Sequence, residues 1–143
     1  MASLTPPPSS LESSKPVLTL GDAKRVAAAA EAEALRNEWR VVIAVVDDGG
    51  HLLYLQRGHD TQFGSVETAI CKAHAAVAFQ RPTKVSEDAV LSGRLIHLAL
   101  PGVIPAEGGV PLLRDGQVIG GLGVSGARSF QDGQIAQAGG SAL

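Results

Sequence analysis

The pair Asp115-Gly116, set between two apolar runs, constrains this chain more than any other feature. Val110-Pro-Leu-Leu-Arg114 precedes it and Gln117-Val-Ile-Gly-Gly-Leu-Gly-Val124 follows it. Asp-Gly accepts positive φ at both central positions of a type I′ turn, whose twist matches that of antiparallel strands. The two runs are therefore expected to pair as a hairpin. A second hairpin is expected around Asp47-Asp-Gly-Gly50, joining residues 41–46 to residues 51–57. Residues 41–46 (Val-Val-Ile-Ala-Val-Val) are apolar without alternation, the pattern of a central strand covered on both faces.

Helical periodicity fills the intervals. Thr19 is a candidate cap, with Asp22 in the first turn where negative charge suits the dipole. Leu20, Ala23, Val26, Ala27, Ala30, Ala34 and Leu35 then recur at helical spacing. A second helix is expected over residues 65–79, with Val66, Ile70, Ala73 and Val77 on its inner stripe, and Arg81-Pro82 stops it. Ser86 is expected to cap a third helix through Leu98, weakened at Gly93. A further short run, Val103-Ile-Pro, precedes the Gly108-Gly109 turn, and a last helix covers residues 130–138. Strand pairs joined by tight turns between helices indicate an α+β fold, an antiparallel sheet of about five strands flanked by helices. Residues 1–16 read as a flexible Pro/Ser-rich leader, and residues 17–143 as one domain.

Composition narrows the partners. The net charge is −2 with no basic cluster, and aromatics make up 3%, which disfavours nucleic acid and anionic membrane surfaces. The leader has neither the basic start nor the apolar stretch of a secretory signal. No apolar run approaches the roughly 20 residues of a membrane span. A soluble, cytoplasmic chain is expected. Cys71 is the only cysteine, so no intrachain disulfide forms.

Two catalytic signatures fail on context. Gly121-Leu-Gly-Val-Ser-Gly126 matches the dinucleotide-binding glycine pattern. That pattern needs an acidic residue about 20 positions further on, and only 17 residues follow Gly126. Gly123-Val-Ser-Gly-Ala127 falls one glycine short of a nucleophile elbow, so Ser125 reads as a turn residue. The glycines of this strand instead admit close backbone approach, by a neighbouring helix or by a ligand.

Three segments in order carry a family likeness: the helical block of residues 64–83, the turn Glu107-Gly-Gly-Val-Pro111, and the glycine-laced strand of residues 118–126. Behind an amphipathic helix and a Val-rich hairpin, they resemble the GlcG/HbpS-like family, which includes the C-terminal domain of PduO-type proteins. The likeness runs from about Leu18 to the C-terminus. It implies a module that binds haem or a related tetrapyrrole, assembled as an even-numbered homo-oligomer such as an octamer.

Haem needs an axial ligand and an apolar slot. His51, His74 and His97 are the candidates, and the sequence does not choose among them; His59 lies in a polar loop and reads as solvated. Cys71 and His74 share a helix face, but no partner completes a metal site.

For a small anionic ligand, Lys72 and Arg81 are the candidate cations. They would act beside Glu107, Gly108 and Gly109, whose successive N–H groups resemble an anion nest. Lys72 leaves the apolar stripe, so it is either a solvated lysine or the partner of this turn. The alternative function is a cofactor-free enzyme acting on a small hydroxy or oxo acid. There Glu107 or a histidine such as His74 would move a proton while Lys72 or Arg81 held the carboxylate.

Overall fold

The computed structural model describes residues 13–143; residues 1–12 of the expected leader lie outside the described residues. The elements run α1 (Leu20–Arg36), β1 (Val42–Asp47), β2 (Leu52–Arg57), α2 (Gly64–Phe79), α3 (Lys84–Leu91), a 3-10 turn (Leu95–Leu98), β3 (Gly109–Arg114), β4 (Gln117–Ser125) and α4 (Ser129–Gly140). The strands form one antiparallel sheet in the order β2-β1-β4-β3. The fold is α+β, with four strands among the described residues.

Both hairpins form where their turns require. Asp115 and Gly116 take φ of 52° and 76°, and β3 and β4 pair across them. The run Val103-Ile-Pro makes no strand. Val103 N–H turns back to the Leu100 carbonyl (3.3 Å), Ala106 N–H returns to Ile104 (2.9 Å), and Pro105 has no N–H to give a ladder. That accounts for four strands where about five were expected.

β1 is covered on both faces. Ile43 and Val45 join the larger core with Val26 and Ala30 of α1, Ile135 of α4, and Leu122 and Val124 of β4. Val42, Ala44 and Val46 face α2 through Ala69, Ala73 and Val77. On that face the register places Gly123 beside Ala44 and Gly109, and Gly121 beside Val46 and Pro111. A Cβ at Gly123 would run into the Ala69 carbonyl, one at Gly121 into that of Ala73, and one at Gly109 into that of Lys72. These glycines therefore admit a helix, not a ligand. Contact at backbone distance also explains which residues of α2 face inward. Ala69, Lys72, Ala73 and Ala76 are buried, while Val66 and Ile70, expected on the inner stripe, are only half-buried.

Thr19 and Asp22 form a reciprocal capping box, each side chain accepting the other's N–H at 3.0 Å. Leu18 is already in the core, and Lys15 pairs with Asp48 at 2.5 Å. α2 stops one residue before a left-handed Gln80 and two before Arg81-Pro82. Thr83, not Ser86, stands at the start of α3; Ser86 is buried inside the helix. The break follows at Gly93, which takes a φ of 98°.

Candidate functional site

Lys72 is not a surface lysine. Its side chain is 3% exposed, and Nζ donates to the Val124 carbonyl and to Asp132 Oδ2, both at 3.0 Å. Asp132, equally buried on α4, accepts the Ala127 N–H through its other oxygen at 3.0 Å. Burial pushes the Asp132 carboxyl above the usual carboxylate range, and the Lys72 ammonium opposes that shift. Gly108, at a φ of 135°, closes over the pair, and a Cβ there would stand 2.9 Å from Lys72 Nζ. The lysine does lie under the glycine turn, but its charge answers an internal carboxylate.

The turn itself is not a free anion nest. Gly109 N–H donates to Thr83 Oγ1 (2.9 Å) and Glu107 N–H to Glu87 Oε1 (3.4 Å), while the Gly108 carbonyl accepts from Val124 (2.9 Å). The Glu107 side chain packs against Gly133, where any Cβ would collide with it. It borders a cavity of about 140 Å³ shared with Lys84, Asp88 and Gln137. Burial raises the Glu107 pKa; Glu87 and Asp88 push it the same way and Lys84 opposes them. Lys84 is itself held by Asp88 at 2.9 and 3.1 Å. The cation open to this cavity is thus Lys84, and its other charges are acidic. Arg81 does not border it. Arg81 lies beyond Pro82, with its guanidinium 5.9 Å from the centre of the Phe79 ring.

The histidines separate clearly. His51 is 82% exposed, with Nδ1 3.3 Å from Asp47 Oδ1, and that oxygen also accepts the N–H groups of Gly49 and His51 at 2.9 Å. His74, exposed on α2, lies against Gly50 of the same turn: a Cβ there would be 2.9 Å from Nε2. His97 is buried and contacts Ser86 Oγ through Nδ1 at 3.3 Å, tying the 3-10 turn to α3. None of the three borders the cavity beside Trp39. That cavity, about 830 Å³, runs between the end of α1 and the β1–β2 side of the sheet, and His59 borders it with Trp39, Arg40, Leu35, Ile43 and Gln56. Among the described residues no group of three or more His, Cys, Asp or Glu is placed to hold a metal ion, and no helix is long and apolar enough to cross a membrane.

Residues 18–141 match the model of a family described as haem degrading protein HbpS-like. The chain belongs to the HbpS-like family. It is 42% identical to protein GlcG of Escherichia coli K12 over 111 residues, covering 78% of this chain and 83% of GlcG. A double mutant of Streptomyces reticuli HbpS superposes with a TM-score of 0.82 at 30% identity, covering 100% of this chain and 98% of the other. The structure of a PduOC:heme complex superposes with a TM-score of 0.78 at 35% identity, covering 90% and 96%.

In this HbpS-like chain the three segments that carry the likeness are one packed unit. The helical block is α2, the glycine-laced strand is its floor, and the Glu107–Gly109 turn is bonded to Thr83 at the start of α3. Sequence reasoning missed Asp132, Lys84 and the groove around Trp39 and His59. Asp132 and Lys72 are 60 positions apart. Only Trp39, the single tryptophan, lying just after a helix end, offered a signal for the groove.

Proposed function

We propose that this chain is a haem-binding module, and that the groove between α1 and the β1–β2 hairpin receives the tetrapyrrole. The groove's size and lining carry this reading. At about 830 Å³ it falls within the roughly 300–1,000 Å³ of cofactor-sized pockets. Leu35, Ala34, Val41, Ile43 and the Trp39 indole supply the apolar wall that haem requires, His59 an imidazole at the mouth, and Arg40 a cation for a propionate. His59 is 96% exposed, with Nε2 3.5 Å from Asp60 Oδ1, so its Nδ1 is free to bind iron. The apolar wall, the imidazole and the cation fit the group, although Glu31, Glu38 and Asp60 also line the groove and oppose a propionate away from Arg40. Bound haem would supply a redox-active iron with a coordination position for a small ligand. The family's description and the heme complex of a relative 35% identical support the same reading.

Hemin titration followed at the Soret band tests it. One equivalent per chain is expected, with His59→Ala changing the spectrum and Arg40→Ala weakening hemin more than its dimethyl ester. An unchanged hemin spectrum on adding protein would overturn it. A second reading has its own observation: His51 is held by Asp47 with its other nitrogen open to solvent. If His51→Ala alters the spectrum and His59→Ala does not, the ligand is at the hairpin turn.

Self-association belongs to the same proposal. Leu91, Leu95, Ile96 and Leu98 expose 58–78% of their surfaces along α3 and the 3-10 turn, a cluster of exposed apolar side chains of the kind that marks an interface. Sedimentation of the intact chain is expected to give an even-numbered oligomer, and a 14.7 kDa species at micromolar concentration would exclude it.

A further inference from the structure

At the opposite edge of the sheet from the Trp39 groove, a second groove of about 420 Å³ lies between the C-terminal end of α2, the edge strand β3 and the end of α4. We infer that it is a binding site for a small carboxylic acid with an apolar body, and that Arg81 receives the carboxylate.

Arg81 is held in place before any ligand arrives. Its N–H reaches back to the Ala76 carbonyl (3.2 Å) past the left-handed Gln80 (φ 55°), and Pro82 restricts the backbone that follows. The Phe79 ring, 5.9 Å away, lies under the guanidinium. This charge has no internal answer. Among the described residues no carboxylate pairs with Arg81, and its Nε is buried with no hydrogen-bond acceptor. Lys72 and Arg114 differ, since Lys72 is matched by Asp132 and Arg114 by Asp22. Nε itself is closed off, so an incoming carboxylate would meet the terminal guanidinium nitrogens, which are not among the buried unpartnered atoms and which match a carboxylate.

The rest of the lining sets the ligand class. No acidic side chain borders the groove, so nothing there repels an anion. Val110, Pro111 and Leu113 give the groove an apolar lining along the β3 edge, and Leu113 is 51% exposed. Gln137 and Ser141 add neutral hydrogen-bonding groups at the rim. Pro111 removes an N–H from the middle of β3, so an added peptide strand would lose a ladder bond there. That favours a small molecule over strand addition. The volume falls within the range of small-molecule pockets.

Benzoate is the probe and benzamide its uncharged counterpart, each added to the intact chain and followed by NMR shift perturbation and thermal melting. Benzoate is expected to move resonances around Arg81 and Leu113 and to raise Tm, with benzamide at least tenfold weaker. Arg81→Gln should weaken benzoate at least tenfold. Leu113→Asp, at a half-exposed position that tolerates a polar side chain, should do the same by placing a carboxylate in the groove. Hemin titration should be unchanged in both variants, because the haem groove lies at the other sheet edge; failure of either site is then seen separately. Equal binding of benzoate and benzamide, no perturbation at millimolar benzoate, or undiminished benzoate binding by Leu113→Asp would overturn the inference.

Discussion

Lys72 on α2 and Asp132 on α4 meet at 3.0 Å, each 3% exposed, and so couple the two layers on opposite faces of the sheet beside the end of β4. The Val124 carbonyl of β4 accepts from the same ammonium, so one lysine joins a strand and two helices. An ion pair taken so far out of water adds little net stability, yet losing one partner strands the other. Asp132→Ala is therefore expected to cost about 3–5 kcal/mol in urea unfolding, and Lys72→Ala a similar amount. The double change Lys72→Met with Asp132→Leu should recover most of the loss. A single-variant cost below about 1 kcal/mol would mean that water reaches the pair.

Gly123 tests the contact between α2 and the sheet. Its missing Cβ would overlap the Ala69 carbonyl, which is backbone and cannot rotate away. Gly123→Ala should destabilise by at least the ~1–3 kcal/mol typical of overpacking. Gly116→Ala, where a Cβ meets nothing within 4 Å but φ is 76°, should cost only the left-handed strain of about 1–2 kcal/mol. Chemical denaturation of both variants decides the order.

Asp22 makes the fold sensitive to acid. The Thr19 N–H and the Arg114 guanidinium hold its carboxyl far below the usual carboxylate range. A carboxyl that ionises more readily when folded adds stability above its unfolded pKa of about 4, and that stability fades as pH falls towards the depressed folded value. Asp22→Asn should therefore lower Tm at pH 7, with the gap to the parent narrowing on acidification below about pH 4. Thermal melts across pH would show an unchanging gap if only the cap geometry mattered.

Glu107 has the opposite sign. Burial raises its pKa in the fold, so its contribution is fully present below the unfolded pKa and is lost as pH rises through the folded value. Glu107→Gln is expected to raise Tm at pH 7 and to leave it nearly unchanged near pH 4. A lower Tm at pH 7 would show that the attraction to Lys84 outweighs the cost of burying the charge.

Local chemistry was legible without the structure. A capping box needs only Thr19 and Asp22 three positions apart, a type I′ turn only Asp115-Gly116, and a helix stop only Pro82. The doubly covered β1 showed in its unbroken β-branched run, and the order of three segments was enough to recognise the family. In each case the determining atoms lie within a few residues of one another, or the pattern repeats along the chain.

The candidate sites were different, because their decisive contacts join distant positions. Lys72 read equally well as a solvated lysine or a ligand-binding one until Asp132, 60 positions later, was seen against it. The glycines of β4 read as room for a helix or a ligand until α2 was seen resting on them. His59 read as solvated from its polar neighbours and is 96% exposed, but the apolar wall beside it comes from α1 and β1 and could not be read locally. The chain by itself therefore determined its turns, the Thr19 cap and the covering of its central strand. Which charges are neutralised inside, and which grooves stay open, follow from packing between remote segments, and only the tertiary structure decides those.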